Sequence, residues 1–312
     1  MATPPRVGYL GPPGTFTEQA LLTQGDLAGG ELVSMASISE VLAAAAGGEV
    51  ELGFVPIENA IEGSVNLTLD TLAFETDLLI QREVVERIQL NLLAPPGTTL
   101  DDITTVVSMP HATAQVRGFL QHRLDGVATR AANSTAEAAR LVGEAGEAGL
   151  AAVGTSLAAE LYGLDVLATD IEDHPENQTR FVVVGRQRVQ APTGHDKTTV
   201  VCFQQADRPG SLLAILQEFA ARAVNLTKLE SRPTKKGLGD YCFVIDFEGH
   251  VAEELVADCL RDLKAKLADV KFLGSYPAAS HHGEARRRDA VAAWRQADQW
   301  VQDLRGQLGG PL

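Results

Sequence analysis

The sequence predicts a two-domain α/β protein, and three observations carry that prediction. Its 312 residues are enough for two domains with separate hydrophobic cores. Short apolar runs alternate with amphipathic segments over residues 6–184, a pattern typical of mostly parallel sheets flanked by helices. After a polar, turn-rich segment at 185–197, six further elements follow in the order strand, helix, strand, strand, helix, strand.

The first domain is predicted from repeated strand–loop–helix units. Capping boxes, in which a Ser or Thr is followed three residues later by Glu, mark helix starts at Thr15, Ser37 and Ser134. Strands are predicted at 6–10, 32–35, 52–57, 78–85, 89–93, 105–107, 127–131, 151–153 and 181–184, and further helices at 110–121, 134–143 and 155–162. Ligands bind beyond the carboxyl ends of the strands in such sheets, so the polar residues there are the candidate site.

The second domain is predicted to be a ferredoxin-like βαββαβ module. Its strands are expected at 198–204, 226–231, 241–247 and 270–276, and its helices at 211–222 and 252–267. The predicted domains are therefore 1–190, 196–277 and a helical tail at 278–312. Apolar residues form a stripe along the tail helix and predict packing on the domain or on a neighbouring subunit: Val291, Trp294, Ala297, Val301, Leu304 and Leu308.

Composition excludes several classes of function. The formal net charge of -15 argues against binding to nucleic acid or to an anionic membrane. Three scattered cysteines provide neither a disulfide framework nor a zinc motif. No apolar run reaches the length of a signal peptide or a spanning helix, so we expect a reduced, cytoplasmic protein.

Three polar segments lie at the ends of predicted strands, at 11–16 (GPPGTF), 55–65 (VPIENAIEGSV) and 131–139 (AANSTAEAA), and a fourth, at 171–182 (IEDHPENQTRFV), leads into the strand predicted at 181–184. The first and third run into helix N-termini, which favour anions, although an ordinary turn or a plain helix cap explains each equally well. The second gathers carboxylates, an amide and a hydroxyl, for which a solvated loop is the alternative. In the fourth, the Arg180 guanidinium is a planar partner for a carboxylate, with a surface ion pair as the alternative.

In combination and in this order, these four strings resemble those of monofunctional bacterial prephenate dehydratases with a C-terminal ACT domain. The resemblance covers about residues 6–277, and no helical chorismate-mutase segment precedes Arg6. It implies a two-lobed, periplasmic-binding-protein-like catalytic domain that converts prephenate to phenylpyruvate, water and carbon dioxide in phenylalanine biosynthesis. Because aromatisation drives this reaction, no cofactor and no metal are expected.

The resemblance also implies the site residues. The catalytic set is Thr179, Arg180, Phe181, Glu58, Asn59, Ser108 and Gln115, and the substrate-binding set is Gly14, Thr15, Phe16, Ser64, Asn133, Ser134 and Thr135. One departure is visible, because the chain reads Ser-Met-Pro-His at 108–111 where the family commonly has Ser-His-Pro. Whether His111 takes part in catalysis is left open.

The ACT-like domain carries two motifs that resemble phenylalanine-binding motifs, GSLL at 210–213 and ESRP at 230–233. The implied phenylalanine-binding set is Asp207, Pro209, Gly210, Ser211, Leu212, Leu213, Asn225, Leu226, Glu230, Ser231 and Arg232. The family further implies feedback inhibition by phenylalanine and a homodimer or homotetramer formed through the ACT domains. Three alternatives are kept: an ACT fold used only for dimerisation, an arogenate dehydratase, and a non-catalytic small-molecule-binding or amino-acid-sensing protein.

Overall fold

The computed structural model describes residues 4–186, 189–205, 208–235, 237, 240–279 and 284–306. Contacts divide the chain into two units, one of Met1–Leu78 with Val84–Arg186 and one of Leu79–Glu83 with Gln187–Leu312. Within the described ranges, no helix is both long and apolar enough to cross a bilayer.

The first unit consists of two α/β lobes. Its strands are β1 (Arg6–Leu10), β2 (Glu31–Met35), β3 (Leu52–Asn59), β4 (Gly63–Ser64), β5 (Leu79–Arg87, which continues from the second unit), β6 (Asn91–Ala94), β7 (Thr105–Ser108), β8 (Ala128–Ala131), β9 (Leu150–Gly154), β10 (Asp165–Ala168) and β11 (Gln178–Gly185). Its helices are α1 (Phe16–Leu22), α2 (Gly25–Ala28), α3 (Ile38–Gly47), α4 (Asn66–Asp70), α5 (Pro110–Gln115), α6 (Arg117–Arg123), α7 (Thr135–Ala145) and α8 (Ser156–Tyr162), with a π-helical turn at Thr71–Glu75 and a 3₁₀ turn at Leu100–Asp102.

Each lobe is built on one mixed sheet. Lobe one has the strand order β2-β1-β3-β11-β5, with β4 paired to β3, and lobe two has the order β10-β6-β9-β7-β8. The chain passes from lobe one to lobe two after β5 and returns before β11. This confirms the predicted α/β class with two lobes. The three predicted helix caps are all present, because the Thr15, Ser37 and Ser134 hydroxyls accept the backbone N–H groups three residues ahead.

The second unit contains the predicted βαββαβ module. Its elements are β12 (Asp196–Phe203), α9 (Ser211–Ala220), β13 (Leu226–Pro233), β14 (Tyr241–Glu248), α10 (Glu254–Lys266) and β15 (Asp269–Pro277), followed by α11 (Glu284–Gly306). The sheet is antiparallel, in the order β13-β14-β12-β15. Side chains of both helices pack on one face of it, with Phe219 against Phe247 at 5.1 Å between ring centroids.

One helix prediction is wrong. The single helix expected at 110–121 is broken at Val116 into α5 and α6. The Gln115 carbonyl accepts the Asp173 backbone N–H at 2.7 Å, and the Asp173 carboxylate accepts the Gly118 N–H at 3.0 Å. The chain approaching β11 therefore supplies hydrogen bonds that a continuous helix would have made internally. A Cβ on Gly118 would lie 2.6 Å from the Asp173 carboxylate, so a side chain at this position would displace that carboxylate.

Candidate active site

The centre of the candidate site is the antiparallel pair β3 and β11 of lobe one. Thr179 lies opposite Asn59, and Arg180 lies opposite Glu58. The register shifts between Arg180 and Phe181, because Phe181 pairs with Pro56 and one residue of β3 has no counterpart. Such bulges redirect side chains locally, and here the bulge coincides with the predicted catalytic residues.

The Asn59 side chain organises this strand pair. Its Nδ2 donates to Thr179 Oγ1 at 2.9 Å, to Asn177 Oδ1 at 3.0 Å and to the Gln178 carbonyl at 3.3 Å. Its Oδ1 accepts two backbone N–H groups from the turn after β3, those of Ile61 and Glu62, both at 2.9 Å. The strand register therefore places Asn59 beside Thr179, and the turn fixes the orientation of its amide.

Hydrogen bonds continue from Asn59 to lobe two. Asn177, which is 1% exposed, donates through Nδ2 to Gln115 Oε1 at 3.2 Å. Gln115 Nε2 donates to Glu62 Oε1 at 3.4 Å, and His111 Nδ1 lies 3.4 Å from the same oxygen. Both Gln115 and His111 belong to α5, so side chains of the two lobes meet at this network.

Arg180 forms the charged part of the site. Its Nη1 lies 3.4 Å from Glu58 Oε2, and its side chain is only 11% exposed. The guanidinium is thus held close to a carboxylate within the strand pair. A planar cation in a mostly desolvated position is suited to charge-assisted binding of an anionic substrate.

Phe181 belongs to the core of lobe one. It is 1% exposed, and its ring stacks on Phe54 with 5.2 Å between centroids and 12° between planes. It packs with Tyr9 and Val183 in the same cluster. In this structure the ring is part of the core beside the strand pair, and its place in the catalytic set stays a prediction.

The predicted residues Gly14, Thr15 and Phe16, in the loop after β1 and at the start of α1, connect the two lobes. Gly14 adopts φ +88°, its N–H donates to Glu18 at 2.6 Å, and its carbonyl accepts the Thr155 hydroxyl of lobe two at 2.8 Å. Thr15 caps α1, and Phe16 packs against the apolar core of lobe two. The Gly14 N–H that was expected to meet an anion is therefore bonded within the loop.

The remaining predicted residues lie at strand and helix ends. Ser108 ends β7, is buried, and donates to the Val153 carbonyl at 3.3 Å. Ser64 on β4 pairs with Glu58. At the start of α7, Ser134 is the cap, Thr135 is buried, and the Asn133 N–H donates to Glu137. The contacts described here do not connect the α7 group to the Asn59 network.

Five of the predicted phenylalanine-binding residues line an open groove of about 420 Å³ in the second unit: Gly210, Ser211, Leu212, Leu213 and Ser231. Tyr241 and Arg208 also line it. Pro209 lies in the turn before α9.

The other predicted members of this set have separate positions. Glu230 and Arg232 flank Ser231 on the opposite side of β13, with Arg232 Nη1 3.6 Å from Glu230 Oε1. Leu226 packs on the core, and Asn225 donates to Glu248 at 3.0 Å. Asp207 lies outside the described residues.

Two members of the Asn59 network were not predicted as site residues, Asn177 and Glu62. Both belong to segments already singled out, since Asn177 lies two residues before Thr179 and Glu62 three after Asn59. Their positions within those polar strings were the available signal. What the sequence could not show is that the turn and the strand bring them to the same point.

The protein therefore has two parts, a two-lobed α/β unit in which one strand carries the Thr179-Arg180 pair, and a ferredoxin-like module after it. Family models agree, because residues 7–189 match Prephenate dehydratase and residues 198–265 match ACT domain. The chain belongs to the prephenate dehydratase family and carries an ACT domain.

Individual relatives cover nearly the whole chain. A "Prephenate dehydratase" of Mycolicibacterium vanbaalenii is 43% identical over 93% of this chain and 97% of its own length. The crystal structure of a prephenate dehydratase from Arthrobacter aurescens in complex with L-Phe has a TM-score of 0.86 and 38% identity, and covers 96% of this chain and 99% of its own. A protein described as a novel type of quorum-quenching acylase has a TM-score of 0.78 and 30% identity, and covers 88% of this chain and 98% of its own.

Proposed function

We propose that this chain converts prephenate to phenylpyruvate through the Thr179, Asn59 and Arg180 group, under regulation by phenylalanine at the groove of the ACT domain. The family membership supports the reaction. The observation that carries the assignment of residues is the bond from Asn59 Nδ2 to Thr179 Oγ1. Since the Thr179 oxygen accepts this bond, its own hydrogen can point toward a substrate.

The reaction breaks two bonds and consumes one proton. The electron pair of the bond to the ring carboxylate moves into the ring as carbon dioxide departs, and the ring hydroxyl leaves as hydroxide, which takes up a proton to become water. Arg180 binds a carboxylate of the dianion, and Thr179 donates to the departing oxygen. A threonine hydroxyl is too weak an acid to supply the proton alone, so Thr179 orients or relays it. Because Glu58 is paired with the Arg180 guanidinium at 3.4 Å, we propose that the proton comes from solvent water.

The test compares turnover of prephenate and of arogenate by the wild type and by Thr179→Val. The variant removes the hydroxyl and keeps the shape, and we expect kcat for prephenate to fall roughly 10²–10³-fold. Thr68→Val is the matched control, because Thr68 is also buried in lobe one and donates to the Pro56 carbonyl at 2.7 Å. The control should keep wild-type activity. Faster turnover of arogenate than of prephenate would assign the alternative substrate.

If the protein turns over neither prephenate nor arogenate, the enzymatic proposal is contradicted and a binding or sensing protein is favoured. Because one relative is described as a quorum-quenching acylase, hydrolysis of an acylated quorum signal is measured in parallel. We expect none, since the residues assembled here are those that hold an anion and assist departure of a hydroxyl.

Phenylalanine regulation is tested at Gly210. This residue adopts φ +88° at the start of α9 in the groove, and a Cβ there would meet nothing within 4 Å. Gly210→Leu therefore strains the backbone by about 1–2 kcal/mol and fills part of the groove. Gly194→Leu is the matched control, since Gly194 has φ +85° and equally open surroundings outside the groove.

We expect Gly210→Leu to lose inhibition by phenylalanine with unchanged basal kcat, and Gly194→Leu to keep it. The prephenate dehydratase of Arthrobacter aurescens, solved in complex with L-Phe, supports this expectation. Assembly into a homodimer or homotetramer through the ACT domains is part of the same proposal, and sedimentation of the full chain measures it. The domain limits at 190, 196 and 277 also stay predictions.

A further inference from the structure

We infer that Asn177 is a positioning residue that fixes the direction of the hydrogen bonds across the two lobes, and so the direction in which the Thr179 hydroxyl donates. This inference rests on the proposed function of Thr179. Asn177 is buried between an amide of lobe one and an amide of lobe two. Its backbone is fixed as well, because its N–H donates to the His174 carbonyl at 3.0 Å and its carbonyl accepts the Ile88 N–H at 2.9 Å.

The direction of the network starts at the turn after β3. Backbone N–H groups can only donate, so the Asn59 atom that faces the Ile61 and Glu62 N–H groups must be its oxygen. The Asn59 NH₂ group therefore faces Asn177 and Thr179, where it can only donate. This assignment follows from the partners of the amide and needs no observed hydrogens.

Each later step follows from the one before. The Asn177 atom that faces the Asn59 NH₂ group must be an acceptor, so the Asn177 NH₂ group faces Gln115. The Gln115 atom that faces Asn177 must in turn be its oxygen, which directs its own NH₂ group to the Glu62 carboxylate. Glu62 accepts at the end, and its backbone N–H is one of the two donors at the start. The network is thus a closed, one-directional set of donors, and Asn177 is its connection between the lobes.

Two properties of this arrangement give Asn177 a role beyond packing. Its oxygen holds the Asn59 amide beside Thr179, and its nitrogen holds Gln115 of α5 toward the same point. A side chain of the same shape that could not donate would still accept from Asn59, but its hydrogen bond with Gln115 would be reversed. Such a change alters the direction of hydrogen bonds while leaving the volume of the buried site unchanged.

The test is Asn177→Asp in the full chain, with prephenate as substrate. Aspartate accepts from Asn59 but cannot donate to Gln115, so Gln115 must turn and present its oxygen to Glu62. We expect kcat to fall roughly 10–100-fold with KM within about threefold, as for an interaction made mainly in the transition state. Asn91→Asp is the matched control, because Asn91 is also buried and, among the described contacts, its side chain bonds to backbone groups, the Gly154 carbonyl and the Asp170 N–H. Its kcat should stay within twofold of wild type.

A second substitution distinguishes an effect of hydrogen-bond direction from a general structural effect of the first substitution. Adding Glu62→Gln to Asn177→Asp supplies a donor for the turned Gln115 oxygen, and we expect it to restore kcat at least fivefold. Asn177→Ser introduces no charge and is measured in parallel, in case the aspartate variant does not fold; it should lose kcat to a similar extent.

Wild-type kcat in Asn177→Ser or in folded Asn177→Asp overturns the inference, as does an absence of rescue by Glu62→Gln. Failure of the proposed function has a different result: the wild type itself does not turn over prephenate, or Thr179→Val retains wild-type kcat. The two failures are therefore separable in one set of assays.

Discussion

Replacing Asn59 with aspartate reverses one hydrogen bond at the centre of the site with almost no change in shape. The wild-type Nδ2 donates to three acceptors at 2.9–3.3 Å, among them Thr179 Oγ1. A carboxylate cannot donate, so in Asn59→Asp the Thr179 hydroxyl must donate to residue 59. Its hydrogen is then no longer directed at the substrate.

The structure gives two magnitudes for Asn59→Asp. The contacts to Asn177 Oδ1 and to the Gln178 carbonyl lose their donor, and at about 1 kcal/mol each this lowers the free energy of unfolding by about 2 kcal/mol. Loss of one donor aimed at the departing oxygen lowers kcat by roughly 10²–10³-fold. The backbone N–H groups of Ile61 and Glu62 still find an acceptor in the aspartate, so the turn after β3 should stay in place.

The assay measures kcat and KM for prephenate in Asn59→Asp, Thr179→Val and the double variant, with urea unfolding of each. If both residues act through one hydroxyl, the double variant should be about as slow as either single variant, because residues that act as a unit are not additive. Asn59→Asp with a kcat within threefold of wild type would refute the reasoning. A double variant whose loss equals the product of the two single losses would also refute it.

Three further predictions follow from charge and burial. Arg180→Lys should raise KM for prephenate and lower kcat/KM at least tenfold, because an ammonium cannot make the two parallel bonds of a guanidinium; steady-state kinetics measure this. Lys197→Met should lower the free energy of unfolding by about 3–5 kcal/mol, since it leaves the carboxylate of Glu83, which is completely buried and 2.9 Å from the lysine, without that cation; Lys197→Arg is the control in urea unfolding. Burial raises the pKa of the Cys202 and Cys259 thiols to about 12, so the native protein should resist thiol reagents at pH 8. Above the unfolded thiol pKa of about 8.5, the unfolded thiols release protons while the native ones keep them. The free energy of unfolding should therefore fall there by up to about 1.4 kcal/mol per pH unit for each thiol.

The sequence predicted most of the fold because its elements carry local signals. The Ser/Thr-x-x-Glu patterns placed three helix starts correctly, and the strand predicted at 241–247 is β14, whose Phe243, Ile245 and Phe247 lie in the core. The strand β10 was missed, since it has only four residues, two of them exposed, and it pairs at the edge of its sheet. The break at Val116 was missed because its cause, the approach of Asp173, is 57 residues away in the chain.

The same distinction applies to the candidate site. Polar residues at strand ends indicated where to look, yet β11 was predicted to begin at Phe181, because Thr179 and Arg180 are polar and precede the apolar run. Both belong to the strand, and they owe their partners to its register with β3. Register depends on pairing between distant segments, which one sequence does not reveal.

The direction of the hydrogen bonds in the network is the property that the sequence alone predicts least. Asparagine and glutamine carry a donor and an acceptor on one side chain, so their identity leaves two orientations open. In this structure two backbone N–H groups, at Ile61 and Glu62, remove that freedom for Asn59, and each later amide inherits its orientation. A short turn after β3 therefore determines which atom of Thr179 faces a ligand, although neither residue of the turn touches Thr179 in the contacts described. Substitutions that alter the path of this turn should consequently reduce kcat even when every side chain of the network is retained.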